Sequence, residues 1–439
     1  MKLDFRGRNM DIATYPFRFM RILGIASTGG CEANECFLTL ERIRDHDDAS
    51  WVQKWAELAE RIERLAGDAF NAGQAMAARQ AYLRASAYYQ VAMFSLSPAD
   101  PRLFEYLTRS RELFHKAAKL LSPQVEVLNI PYGDARLPAY FISGGQAKGP
   151  TLLIVNGGDS TNEEMMHLTG FAAAKRGWNC LVFEGPGQWS ALQLNLGLVL
   201  TVEYEKPVKA VMDYLLQRPD VDPGRIALYG LSLSSLLGAR AAAYERRICA
   251  CILNGGPVVD VNQAWEAVRP PWVKKTIPGV WDFLFGLVMK YNAQFAGFVN
   301  HFMWSLGVSS LREVLDAFRP FNIRDCAPLI SVPTLILEGE GEYAQTDRAT
   351  VLLGLRFISQ LQCPVTIHEF SIAGDGWAAS HCQIGGPEAA NRVIFDWLDR
   401  VVVKGERLEP TKFDTGILQK YFRGKELDEI TENIQVSVI

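Results

Sequence analysis

Apolar residues fall into two kinds of pattern along this chain, and the change between them comes near Pro123. Before it the spacing is helical. Trp51, Trp55, Leu58, Ile62 and Leu65 recur at i, i+4, i+7, i+11 and i+14, which predicts one face of a helix with Ser50 as its cap. GQAMAARQAYLRASAYYQVAMFSL and DPRLFEYLTRSRELFHKAAKLL predict two more, the latter with Pro101 in its first turn. After Pro123 come short apolar runs bounded by glycine: VEVLNIPYG and LPAYFISGG, which read as a hairpin, then TLLIV, NCLVFE, RIALYG, CACILNGG, PTLILEGE and VTIHEF. Helical patterns separate the later runs. Strands that are apolar throughout and alternate with helices predict a mostly parallel sheet covered on both faces.

One interval breaks the alternation. Between Pro257 and Pro320 no strand run occurs, only helical segments dense in aromatic residues, which predicts an insertion between two core strands. The expected organisation is a helical N-terminal module over 1–122, the first part of the core over 123–258, a helical cap over 259–320, the second part of the core over 321–408, and a mixed, polar tail over 409–439. At 439 residues the chain exceeds the roughly 250 to 300 residues at which single cores stop growing, which agrees with one main domain plus an addition.

Composition narrows the partners. A formal charge of −4, with no Lys/Arg-rich run, gives no electrostatic footprint for nucleic acid or an anionic membrane. No stretch reaches the roughly 18 apolar residues of a membrane span, and the N-terminus has no signal-peptide core. Eight cysteines without zinc-site spacing read as reduced thiols. The expectation is a cytoplasmic protein with a small-molecule partner and neither metal nor cofactor.

The chemistry concentrates at Gly230-Leu231-Ser232-Leu233-Ser234, where a strand run meets an alanine-rich helix. This fits the GxSx(small) nucleophile elbow, in which a serine on a sharp strand-to-helix turn presents its hydroxyl at the end of the sheet. Gly230 fills the −2 position, and Ser234 stands at +2 where glycine is usual. The bland alternative is two serines capping a core helix. A serine nucleophile needs a base, and of six histidines only His381 follows the last core strand in a loop before a final helix, where this fold carries it. The acid belongs after the preceding strand: Glu342, three residues past Gly339, is the first choice, Asp347 its rival and Asp375 a distant third. The backbone N–H of Leu233 and those of the Gly157-Gly158 loop are the expected oxyanion hole. Asp159, Glu184 and the cap aromatics Trp265, Trp272, Trp281 and Phe302 are candidates to contact substrate, since aromatic-lined pockets suit large planar or apolar ligands.

NGGDSTNEE (156–164), FEGPGQ (183–188), GLSLSS (230–235) and SHCQIGG (380–386) occur in an order that resembles the α/β-hydrolases related to 2,6-dihydroxypseudooxynicotine hydrolase and to the fungal heptaketide-shortening hydrolases of melanin pigment synthesis. The resemblance extends to GGCEANECF and AARQAYLRASAYY, so it covers most of the chain. It implies a Ser–acid–His hydrolase that cleaves a carbon–carbon bond next to a ketone, or a related acyl bond, with the N-terminal helices helping to form the pocket and a homodimer. Carried across, Ser232 is similar to the nucleophile, His381 to the base and Glu342 to the acid. Three departures stand out: Ser234 for glycine, Glu184 and Trp189 within the DGPGQG motif, and glutamate for aspartate as acid. An acyltransferase or cyclase on the same residues, or a binding protein on a degenerate fold, are the competing readings.

Overall fold

The computed structural model describes residues 14–263 and 293–437. Trp265, Trp272 and Trp281 of the expected cap lie outside the described residues. Ten strands form one sheet in the order β1-β2-β4-β3-β5-β6-β7-β8-β10-β9. β1 (Val125–Tyr132) and β2 (Ala135–Ile142) make an antiparallel hairpin, closed by a two-residue loop in which Gly133 takes φ +56°. β3 (Gly149–Val155), β4 (Asn179–Phe183), β5 (Val221–Leu231), β6 (Ala250–Asn254), β7 (Thr334–Gly339) and β8 (Val365–Phe370) run parallel. After β3 the chain moves outward to β4, then returns past β3 to lay down β5 on the other side. The strand order thus reverses between β3 and β5, and the loops leaving their C-terminal ends diverge to open a crevice.

Successive residues of these strands feed two cores. Leu152, Ile154, Val182, Tyr229, Ile252 and Leu337 point to one face; Leu153, Val155, Phe183, Leu228, Leu253 and Ile336 point to the other. That double burial is why the strands lack polar alternation. The first face is covered by the N-terminal helices: α1 (Tyr15–Gly24), α2 (Ala33–Arg42), α3 (Asp48–Asn71), α4 (Ala75–Met93) and α5 (Pro101–Ala118). Their buried side chains are continuous with those of the sheet, and the rings of Phe114 and Tyr140 stack across the junction at 4.8 Å. The helices at 1–122 therefore share the sheet's core. The second face carries α6 (Glu205–Leu215), α7 (Leu233–Tyr244), α8 (Ala293–Leu306), α9 (Leu311–Phe318) and α10 (Arg348–Ser359), while α11 (Pro387–Leu398) returns to the first.

Three local expectations change. Ser50 lies inside α3, whose cap is Asp47: its carboxylate accepts the Ser50 N–H at 2.8 Å. Leu65, last in the α3 series, is 48% exposed, because helical drift has carried it off the packed face. The 409–439 tail extends the sheet. β9 (Pro410–Lys412) pairs with β10 (Gln435–Ser437), which pairs with β8, and Phe413, Leu418, Leu427, Ile434 and Val436 are buried. No helix among the described residues is long and apolar enough to cross a membrane, and all eight cysteines are free thiols.

Candidate active site

Ser232 sits between β5 and α7 with φ +58° and ψ −125°, a conformation that is costly for a residue with a side chain and persists only where surrounding structure enforces it. The enforcement is visible. The Ser232 N–H donates to the Asn254 carbonyl of β6 at 2.8 Å, and the Ser232 carbonyl accepts from Ser235 N–H at 2.8 Å. Gly230 has no room for a Cβ, which would strike the Ser234 carbonyl, and a Cβ on Gly238 would lie 3.3 Å from Gly230 Cα. The close strand–helix approach is thus carried by Gly230 and Gly238. Ser234, fully buried, turns its hydroxyl the other way and donates to the Asn156 carbonyl. The residue that departs from the glycine pattern joins the nucleophile turn to the loop after β3.

His381 and Glu342 reach Ser232 from the ends of β8 and β7. The imidazole Nε2 lies 2.8 Å from Ser232 Oγ and Nδ1 lies 2.8 Å from Glu342 Oε2. A carboxylate only accepts, so Nδ1 carries the proton and Nε2 is free to accept from the serine hydroxyl. Burial works against a charged ring, but Cys382 and Glu342 beside it outweigh that, and the imidazole is held well above its usual value. Cys382 adopts φ +54° and brings Sγ to 3.4 Å from Nε2; burial pushes its thiol up, against the opposing pull of His381. Asp347, the rival acid, is not in this chain of contacts. It caps α10, accepting the N–H groups of Ala349 at 2.8 Å and Thr350 at 3.2 Å. Asp375 is tied to the Ser371 N–H.

Leu233 is the first residue of α7, so its N–H has no partner within the helix. Opposite it, a Cβ on Gly158 would meet Leu233 Cδ2 and Phe302 Cζ at 3.3 Å, so this glycine lets the loop lie against both. The loop is held by several elements. Gln188 donates through Nε2 to the carbonyls of Asn156 and Gly157, and its Oε1 accepts from Gly185 N–H and Tyr204 OH. His301 of α8 donates Nε2–H to the Gly158 carbonyl at 2.7 Å while its ring packs at a tilt of 38° against Trp189, centroids 4.6 Å apart. Burial lowers His301, keeping it neutral.

The substrate-contact candidates divide. Phe302 packs against Gly158 as described. Asp159 is half exposed beside the crevice; burial disfavours its charge, but Arg21 of α1 at 2.7 Å holds the carboxyl below its usual range. Arg21 also grips Glu164 through Nε and Nη2 at 2.5 and 2.6 Å. Glu184 is a correction. It is fully buried, and its two oxygens accept the backbone N–H groups of Asn162 and Ser190 at 2.9 and 2.5 Å, so it organises two loops and has no face toward a ligand. Burial and the neighbouring Glu163 push its carboxyl up to about 7. Arg21, Gln188 and His301 went unassigned in the sequence. FEGPGQ contains Gln188, so that one carried a signal; a single arginine on an amphipathic helix and a histidine among cap aromatics did not.

This strand order, with a serine on a tight turn after β5 and an imidazole after β8, is that of an α/β hydrolase, an enzyme class. Comparison with known proteins gives the particular family. A family described as FrsA-like esterase matches residues 27–270, and the chain belongs to it. It is 30% identical over 410 residues to hydrolase LUC6 of a Fusarium species, covering 88% of this chain and 96% of that protein. With 20-hydroxy-prefusarin hydrolase FUS2 of Gibberella moniliformis it shares 31% over 408 residues, again 88% and 96%. The crystal structure of 2,6-dihydroxy-pseudo-oxynicotine hydrolase superposes with a TM-score of 0.69 at 23% identity, covering 89% of this chain and 98% of that one, a likeness of fold. The resemblance read from the four motifs therefore holds.

Proposed function

We propose that this enzyme is a serine hydrolase that transfers an acyl group from a small metabolite to Ser232 and then to water. The observation that carries the reading is the unbroken line of contacts from Ser232 Oγ through His381 to Glu342, each 2.8 Å. His381 takes the Ser232 proton as the hydroxyl attacks a carbonyl, and Glu342 holds the ring in the tautomer that allows it. The N–H of Leu233 and those of the Gly157-Gly158 loop receive the negative oxygen that forms. When the bond breaks, His381 returns the proton to the leaving group. An alkoxide leaves from an ester or lactone; from a β-diketone the leaving group is an enolate, protonated in the same way. Water then repeats the sequence on the acyl-serine.

The substrate class is a planar or polyketide-like molecule bearing a ketone or ester. Phe302 against Gly158, and the relative named for hydrolysis of 20-hydroxy-prefusarin, support an apolar, extended ligand. The test is a panel of β-diketones, aryl esters and lactones with products identified by mass. Wild type should release a carboxylic acid from one class, and Ser232→Ala should release none while melting at the wild-type temperature. Turnover by Ser232→Ala at the wild-type rate would discard the mechanism.

A further inference from the structure

Arg21 stands in the last turn of α1 with its side chain only 12% exposed, and every face of its guanidinium is engaged. Nε and Nη2 clasp the two oxygens of Glu164 at 2.5 and 2.6 Å. Nη1 holds Asp159 Oδ2 at 2.7 Å, Nη2 also reaches the Asp159 carbonyl at 3.3 Å, and the group lies 4.4 Å from the centre of the Phe94 ring. Glu164 is buried with the arginine and balances its charge. Asp159 differs: its side chain is 50% exposed, and Oδ1 has no partner among the described residues. The fold thus commits a largely buried arginine to fixing an accessible carboxylate with one oxygen left open.

That oxygen opens beside the nucleophile. Asp159 follows Gly158, where a Cβ would stand 3.5 Å from Leu233 Cβ, and Leu233 follows Ser232. Ser232, Leu233, Gly158, Asp159 and His381 all keep some exposure, so they border one accessible recess. Half exposed as it is, the Asp159 carboxylate is opposed first by burial, as befits a group in a recess, and both His301 and His381 bear on it. Arg21 outweighs the burial and keeps it ionised, so it accepts hydrogen bonds and donates none.

We propose that Asp159 is a specificity-determining residue: its open Oδ1 accepts a hydrogen bond from a hydroxyl that the substrate carries within a few bonds of the reacting carbonyl. Consecutive Cα atoms are about 3.8 Å apart, which sets that reach from the Gly158 peptide. Arg21 fixes the carboxylate before the substrate arrives, so little ordering remains to be done on binding. A substrate with a donor there gains a charge-assisted bond; one with an ether gains nothing, and one with a carboxylate meets like charge.

The inference rests on the reading of Ser232, His381 and Glu342 as a hydrolytic triad, and the experiment separates the two. kcat/KM is measured for the phenyl esters of ortho-, meta- and para-hydroxybenzoic acid, each against its methoxy counterpart, which keeps the ring and the oxygen and lacks the donor. The enzymes are wild type, Asp159→Asn and Asp159→Ala, with thermal melts alongside. For at least one isomer wild type should favour the hydroxyl by about tenfold or more, the worth of one hydrogen bond to a charged group. In Asp159→Asn, Arg21 still binds the side-chain oxygen and the amide turns its N–H groups to the recess, so the preference should vanish or reverse. Asp159→Ala should abolish it too. Loosening of the Asn156–Asp159 loop slows both members of a pair alike and leaves their ratio unmoved. A wild-type ratio in a slower Asp159→Asn enzyme therefore overturns the proposal, as does a wild type indifferent to the donor in every pair. Should no ester turn over, the ratio is read from protection of Ser232 against a fluorophosphonate by the same pairs, and protection that ignores the donor, or none at all, overturns it. An absence of labelling in unprotected wild type at every pH would remove the triad reading itself, and this proposal with it.

Discussion

The two sides of Ser232 are built on opposite plans. On the side of the proposed oxyanion hole the Asn156–Asp159 loop is held by four side chains from four separate elements: Ser234 after β5, Gln188 after β4, His301 on α8 and Arg21 on α1. All four fix backbone carbonyls, Arg21 through Nη2 to the Asp159 carbonyl at 3.3 Å, and these in turn aim the N–H groups of the same peptides. On the acid side the carboxylates sit among other carboxylates, and two buried oxygens have no donor among the described residues. The first arrangement is redundant, so that losing one contact leaves others in place. The second depends on protonation, so that changing one charge alters every neighbour. Single changes on the serine side should therefore have modest effects on rate or stability and leave the pH profile unmoved, whereas changes on the acid side should move the pH profile.

The largest break in this contrast is expected from Glu342→Gln. It removes the charge that orients and supports His381, and turnover should drop by roughly 10³ to 10⁴-fold, by analogy with the loss of the acid in other triads. The sign of the pH effect follows from the raised imidazole. On the proposed mechanism activity requires the neutral ring, so it should be lost as pH falls through a value above 6.5 in wild type. Without the Glu342 charge that value should fall, moving the acid limb of kcat/KM downward. An unmoved limb would place the orienting charge elsewhere.

A smaller effect is expected from His301→Phe, which preserves the ring contact with Trp189 and removes the hydrogen bond to Gly158. One contact in a redundant set should cost about tenfold in kcat, with the pH profile unchanged. Smaller again is Ser234→Gly, which restores the usual glycine. Asn156 keeps its contact from Gln188, so turnover should change less than about threefold while the melting temperature falls by the equivalent of about 1 kcal/mol, a figure typical of one hydrogen bond. The smallest effect on catalysis belongs to Asp347→Asn, which trades one good helix cap for another: both turnover and melting should match wild type, whereas Asp347→Ala should lose about 1 kcal/mol of stability and still turn over normally. A catalytic defect in Asp347→Asn would reopen the choice of acid.

The same contrast decides how much could be read from the chain. β3 through β8 were legible because burial on both faces writes itself as unbroken apolar runs, and Ser232 and His381 because each follows such a run at a fixed distance. Glu342 was separated from Asp347 by the turn after Gly339 alone, and Glu342 is the one of the two that lies 2.8 Å from His381 Nδ1. β9 and β10, three residues each, were not legible: edge strands this short carry no period, and their buried anchors Phe413 and Val436 lie 23 residues apart. Glu184 misled because an acidic residue beside a glycine-rich turn suggests a ligand, while its actual acceptors are backbone N–H groups that the sequence does not reveal. Arg21 and Asp159 are 138 positions apart, and nothing local in either marks the other. Long-range polar pairs of this kind leave no trace in the hydrophobic pattern.

The central claim, that His381 activates the Ser232 hydroxyl, is tested most directly by fluorophosphonate labelling with the adduct mapped by mass spectrometry in wild type and in His381→Ala. The account predicts one adduct, on Ser232, formed in wild type and lost in the variant while both remain folded. An adduct on another residue, or equal labelling with and without the imidazole, would contradict it.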